Sequence, residues 1–141
     1  MGTSKRILVV DDDERVLLVF HDALVKLGSE YEVVTAANGR VGLEKAKEAS
    51  FDLIITDLRM PDIDGIAFTE AVRALDSVAT VIWVTAYGCH KLKADAARLA
   101  VYRCLNKPVE IREIRETARQ ALDVAAGPRA GFRAKVKASL S

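Results

Sequence analysis

Residues 7–15 read ILVVDDDER: four apolar residues run directly into three consecutive aspartates and on into a helix-forming sequence. An apolar run without alternation fits a strand buried on both faces, as in a parallel sheet covered by helices. The aspartates pose a separate problem, because adjacent like charges repel unless a cation or a proton offsets them. Carboxylate oxygens suit Mg²⁺, which is usually held by one or two carboxylates, several waters and a phosphate of the substrate. A plainer reading is that Asp13 caps the following helix while its two neighbours face solvent.

The same pattern recurs along the chain. After Ile7–Val10, apolar runs that predict strands occur near Glu32–Thr35, Leu53–Thr56, Val81–Val84 and Tyr102–Leu105. Between them lie segments of helical period. Val16, Phe20, Leu24 and Leu27 mark the first, ending at Gly28, and further helices are expected near Gly39–Ala49, Asp64–Leu75, Cys89–Leu99 and Glu110–Ala125. Five strands, each followed by a helix, predict an open doubly wound α/β domain with a five-stranded parallel sheet. Ligands of such a sheet sit beyond the carboxyl ends of its strands.

Composition narrows the class. A chain of 141 residues that is half apolar can build one domain with a real core. No apolar run approaches the roughly 20 residues that span a bilayer. The first residues, MGTSKRI, lack a signal peptide's apolar segment, so a cytoplasmic protein is expected. Cys89 and Cys104 are too few for a disulfide framework, and with only His21 and His90 beside them a zinc site is not expected. Both are read as reduced thiols. Four of the 21 basic residues (Arg129, Arg133, Lys135 and Lys137) and none of the 20 acidic ones lie in Gly127–Ser141, leaving the rest of the chain at about −3. That balance argues against nucleic-acid binding by the body of the domain.

The polar residues at the strand ends carry the functional argument. Asp11, Asp12 and Asp13 follow the first strand, Asp57 the third in IITDLRMPDIDG, Thr85 the fourth in VIWVTAYG, and Lys107 the fifth in CLNKPV. Acidic groups near the first strand can hold Mg²⁺ and draw a phosphoryl group toward Asp57, a carboxylate able to form an acyl phosphate. Thr85 and Lys107 can donate to the remaining phosphoryl oxygens. Singly, each also reads as a strand-end hydroxyl, a solvated lysine or a loop acid; together they converge on one edge.

These residues resemble the response regulator receiver domains of two-component signalling over roughly residues 5–125. The acid pair is followed by D-x-x-M-P-x-x-D-G at Asp57, Met60, Pro61, Asp64 and Gly65, then by Thr85–Ala86 and Lys107–Pro108. The resemblance implies a flavodoxin-like (βα)5 fold with strand order 2-1-3-4-5, and Mg²⁺-dependent transfer of a phosphoryl group from a sensor histidine kinase or phosphotransfer protein to Asp57. Its metal ligands would be Asp12 directly, Asp11 through water, Asp57 and the backbone carbonyl of Arg59, which leaves Asp13 as the helix cap. It also implies a switch of protein contacts rather than an enzyme of metabolism, although such a domain catalyses its own phosphorylation and dephosphorylation.

A second reading starts from the same stretch, since DDDERVL also fits the D-x-D-x-x-V nucleophile motif of haloacid dehalogenase-type phosphatases. Asp11 would then be phosphorylated and Asp13 would serve as general acid/base. That family needs a later acidic pair at a strand end, whereas Glu110, Glu113, Glu116 and Asp123 fall in a helical pattern.

One position departs from the receiver pattern. Three residues before the lysine, where the family usually has an aromatic that reorients on phosphorylation, this chain has Cys104. Tyr87 and Tyr102 are the nearest aromatics, and alternation along the strand is expected to place Tyr102 on Cys104's side. Arg59 and Tyr87 occupy positions that the resemblance implies tune phosphate lifetime. Trp83 is expected in the core. Residues 5–126 are assigned to the receiver and 127–141 to a basic linker or disordered tail, in which Phe132, Val136 and Leu140 have the spacing of a small amphipathic helix. The output is expected to be either a downstream effector protein or a further domain of a longer regulator, with no membrane and no nucleic acid bound by the receiver itself.

Overall fold

The unbroken apolar runs form parallel strands buried between two helical layers. The computed structural model describes residues 5–75, 77–86 and 88–126 of the chain. Strands β1 (Lys5–Val10), β2 (Tyr31–Ala36), β3 (Leu53–Asp57), β4 (Thr80–Thr85) and β5 (Arg103–Asn106) alternate with α1 (Glu14–Val25), α2 (Gly39–Glu48), α3 (Gly65–Ala74), α4 (Lys93–Arg98) and α5 (Ile111–Ala126). All pairings are parallel, in the order β2-β1-β3-β4-β5. The chain reverses direction across the sheet between β1 and β3, which opens a crevice at their carboxyl ends. No helix among the described residues is long and apolar enough to cross a membrane.

Strand alternation sorts the core into two layers. Ile7, Val9, Leu53, Ile55, Ile82 and Val84 face α1 and α5, meeting Phe20 and Leu24 from one and Ile114, Ala118 and Leu122 from the other. Leu8, Val10, Ile54, Val81 and Trp83 face the opposite way, onto Phe68 and Val72 of α3. Trp83 is wholly buried, and its Nε1–H donates to Thr69 Oγ1 at 3.0 Å, while the Thr69 hydroxyl donates to the Gly65 carbonyl at 2.7 Å. Three helices start on side-chain caps: Asp13, Asn38 and Asp64 accept from the N–H groups of Arg15, Val41 and Ala67 at 2.8–2.9 Å. Each cap is worth about 1 kcal/mol. Arg73 at the end of α3 donates to the carbonyls of Ser77, Ala79, Leu99 and Ala100.

Three expectations need correction. The helix expected over Cys89–Leu99 is split into a 3₁₀ turn (Cys89–Leu92) and the six-residue α4, neither of which has a side-chain cap or a buried residue. Tyr102 precedes β5 and packs against the α1/α5 layer, whereas Cys104 packs in the other layer, so the two do not share a face. Most consequential, Cys89 and Cys104 are bonded in a disulfide rather than reduced, with Cα atoms 5.8 Å apart. The loop after β4 folds back over β5, where the Cys89 N–H donates to Asn106 Oδ1 at 2.9 Å, and this brings the two thiols into bonding range. Tyr87 and the segment 127–141, with its amphipathic spacing, lie outside the described residues.

Candidate functional site

The site is built from strand ends. β1 carries Asp11 and Asp12 just past its last residue, β3 ends on Asp57, β4 ends on Thr85, and Lys107 follows β5. Because neighbouring strands are in register (Val10 beside Thr56, Asp57 beside Val84, Thr85 beside Asn106), these residues emerge at one level along the sheet. Asp11, Asp57 and Thr85 are buried, at 2 %, 6 % and 0 % exposure, while Asp12 is open to solvent. One carboxylate oxygen from each of Asp11, Asp12 and Asp57 falls within 4.8 Å of the others.

Lys107 spans two of these acids. Its Nζ lies 3.2 Å from Asp11 Oδ2 and 3.4 Å from Asp57 Oδ1, and its backbone N–H donates to the Thr85 carbonyl at 2.8 Å. Burial pushes the Asp11 carboxyl above the usual carboxylate range; the negative charge of Asp57 adds to this, while the Asp13 N–H and Lys107 oppose it. Burial also works against the Lys107 ammonium, but the charges of Asp11 and Asp57 outweigh it and leave the group above the ordinary lysine value. The cluster therefore has more negative charge than its single lysine offsets. Hard oxygen donors gathered in this way fit a hard divalent cation such as Mg²⁺.

Local backbone geometry fixes Asp57. Its Oδ1 accepts from the Leu58 N–H at 2.9 Å, and the Leu58 carbonyl accepts from the Gly65 N–H at 3.0 Å. A Cβ at Gly65 would collide with the Asp57 carbonyl and with Leu58, so only glycine lets α3 begin so close to the end of β3. Neither contact was singled out by reading the sequence: the Leu58 donor is backbone and leaves no residue signature, although Asp64–Gly65 after D-x-x-M-P marks the turn.

The expected residues separate clearly. Asp11, Asp12, Asp57 and Lys107 come together, and Thr85 joins the same edge through the Lys107 backbone. Asp13 stays apart; its carboxylate is engaged by the N–H and guanidinium of Arg15. The Arg59 side chain is exposed beside a groove of about 500 Å³ that Met60, Ile66 and Leu92 also line.

Residues 7–119 match the sequence profile of the response regulator receiver domain, and the chain belongs to that family. It is 34 % identical over 120 residues to the chemotaxis protein CheY of Bacillus subtilis, a match that covers 85 % of this chain and 99 % of that protein. It is 35 % identical over 116 residues to the transcriptional regulatory protein ZraR of Escherichia coli, covering 82 % of this chain but only 26 % of that longer protein. Among solved structures, a CheY-like receiver domain protein from Methanospirillum hungatei superposes with a TM-score of 0.80 at 31 % identity, covering 87 % of this chain and 97 % of that one. The chain is thus a CheY-like receiver domain of the two-component response regulators, with the flavodoxin-like topology expected of them. The haloacid dehalogenase-type reading is set aside: Asp13 caps α1, and the whole D-x-x-M-P-x-x-D-G segment falls inside the receiver match.

Proposed function

We propose that this domain accepts a phosphoryl group on Asp57 in a Mg²⁺-dependent reaction and thereby switches its protein contacts. The observation that carries the reading is the three-carboxylate cluster bridged by the Lys107 ammonium at the carboxyl edge of the sheet. Asp11, Asp12, Asp57 and the Arg59 carbonyl would hold Mg²⁺, which when bound supplies positive charge to the phosphoryl oxygens. An Asp57 carboxylate oxygen attacks phosphorus, the bond from phosphorus to the donor's imidazole nitrogen breaks, and the electron pair leaves on that nitrogen. Lys107 turns from Asp11 toward the new phosphoryl oxygens, and the Thr85 hydroxyl donates to another.

The donor is a sensor histidine kinase or a phosphotransfer protein in the cytoplasm, and the target is an effector protein or an output domain. Residues 5–126 form the acceptor domain and 127–141 a basic linker or tail. The test is incubation with Mg²⁺ and a small acyl-phosphate donor, followed by intact mass. One added phosphoryl group is expected in the wild type, with none in Asp57→Asn and none after chelation. Labelling that survives Asp57→Asn but is lost in Asp11→Asn would overturn the assignment.

A further inference from the structure

The two cysteines that the site leaves unused are joined beside it. Cys89 opens the 3₁₀ turn just beyond Thr85, and Cys104 lies on β5 just before Lys107. They are 15 residues apart in sequence, and the intervening chain contains the whole of α4. Both are half-buried, within reach of small solutes.

The bond closes a segment whose other ties lie toward its far end, where Arg73 grips the Leu99 and Ala100 carbonyls and Arg98 pairs with Glu70 at 2.9 Å. The Lys107 N–H donates to the Thr85 carbonyl and the Cys89 N–H donates to Asn106 Oδ1, so the loop is tied to β5 at 2.8 and 2.9 Å on either side of its turn. Gly88, at φ +90°, supplies that turn directly before Cys89. Beyond it, α4 is six residues long, with no side-chain cap and no buried residue. A helix so short does not persist without tertiary support. The covalent ring is the strongest such support at its N-terminal side.

We infer that Cys89 and Cys104 form a thiol–disulfide exchange site whose substrates are small-molecule or protein thiols and disulfides, and whose state sets the freedom of residues 88–99. In the oxidising direction, one protein thiolate attacks a disulfide RSSR, forming a mixed disulfide and expelling one thiolate. The second protein thiolate then attacks the protein sulfur of that mixed disulfide and expels the other. The two protein thiols lose two electrons and two protons in all, and RSSR becomes two RSH. A dithiol runs the reaction backwards. The link to signalling rests on the phosphoryl-acceptor reading, because the bond confines the loop that Thr85 would move.

Two measurements test the site. Native protein equilibrated in glutathione buffers of increasing reducing strength is alkylated and weighed, and amide hydrogen exchange is followed in the oxidised form, the reduced form, Cys89→Ser and Cys104→Ser. Reversible interconversion between no and two modifiable thiols without denaturant is expected, with amides of residues 89–99 exchanging about tenfold faster in the reduced form and in both variants. A bond that yields only after unfolding, or exchange unchanged by reduction, overturns the site. Equal behaviour of the two serine variants guards against misfolding of either one. With beryllium fluoride and Mg²⁺ added, protection around residues 85–93 should change more in the reduced form than in the oxidised form. An equal change in both forms overturns the link to signalling, and no change in either overturns the phosphoryl-acceptor reading while the exchange data continue to decide the thiol site.

Discussion

α5 and α4 both cover the sheet near the carboxylate cluster, yet they are held in opposite ways. α5 runs for 16 residues and buries Ile114, Ala118, Ala121 and Leu122 in the layer it shares with α1. α4 has six residues, and only Leu92 and Leu99 at its flanks and the half-buried Ala96 carry its apolar contact. One helix belongs to the core; the other is a covering held by a disulfide on one side and by Glu70 and Arg73 of α3 on the other. A site placed between them can keep Asp57 and Asp11 fixed while the chain beyond Thr85 stays responsive.

If that contrast is real, the largest effect should fall on α5. Ile114→Ala removes a fully buried side chain and is expected to lower unfolding free energy by about 4 kcal/mol, whereas Ala96→Gly in α4 should cost about 1 kcal/mol or less. Urea unfolding of both variants measures the ratio, and similar costs would break the comparison.

Reduction of the Cys89–Cys104 bond is next. Loop-closure entropy for a ring of about 15 residues predicts a loss of about 3 kcal/mol, or less where α4 frays while the core survives. Thermal unfolding with and without a dithiol provides the measurement; a loss confined to α4 amides would sharpen the contrast.

A smaller effect is expected at the rigid end. The Asp11 pKa is raised on folding, so stability is fullest below the unfolded value of 3.8 and falls as pH rises through the folded value. Asp11→Asn should therefore match the wild type in acid and exceed it in stability near neutrality in the absence of metal. The same variant should lose the stabilisation by Mg²⁺ that the wild type gains. Melting temperature against pH, with and without Mg²⁺, checks both.

The smallest effect is at the turn after α4. Ala100 adopts φ +57°, so Ala100→Gly should relieve strain and stabilise by about 0.5–1 kcal/mol.

Much of this was legible in the sequence because it depends on local periodicity. The apolar run Ile7–Val10, the strand ends that carry Asp57, Thr85 and Lys107, and the Asp13 cap all follow from residue type and spacing. Strand limits agree within one residue for the same reason, except that β1 begins two residues earlier than its apolar run, at Lys5. The break in the helix expected over Cys89–Leu99 was not legible, since the apolar spacing runs on while the loop's hydrogen bonds to β5 pull its first turn into a tighter coil. Nor was the disulfide: a separation of 15 residues says nothing about proximity until β5 pairs with β4 and Cys104 comes level with Trp83. Tyr102 was misplaced because alternation holds only inside a strand, and β5 begins one residue later.

The guanidinium of Arg73 gives the α4 region a mechanical character. By gripping the carbonyls of Leu99 and Ala100 together with that of Ala79 at the foot of β4, it pins one end of the segment to α3. The other end is joined to β5 at Cys89. With its far end clamped, opening the near end would let the stretch pivot about Leu99, so that displacement would grow with distance from Arg73. Residues 89–92 would sweep the widest arc and alter the mouth of the groove beside Arg59, while the Leu99 contact with the core stays still.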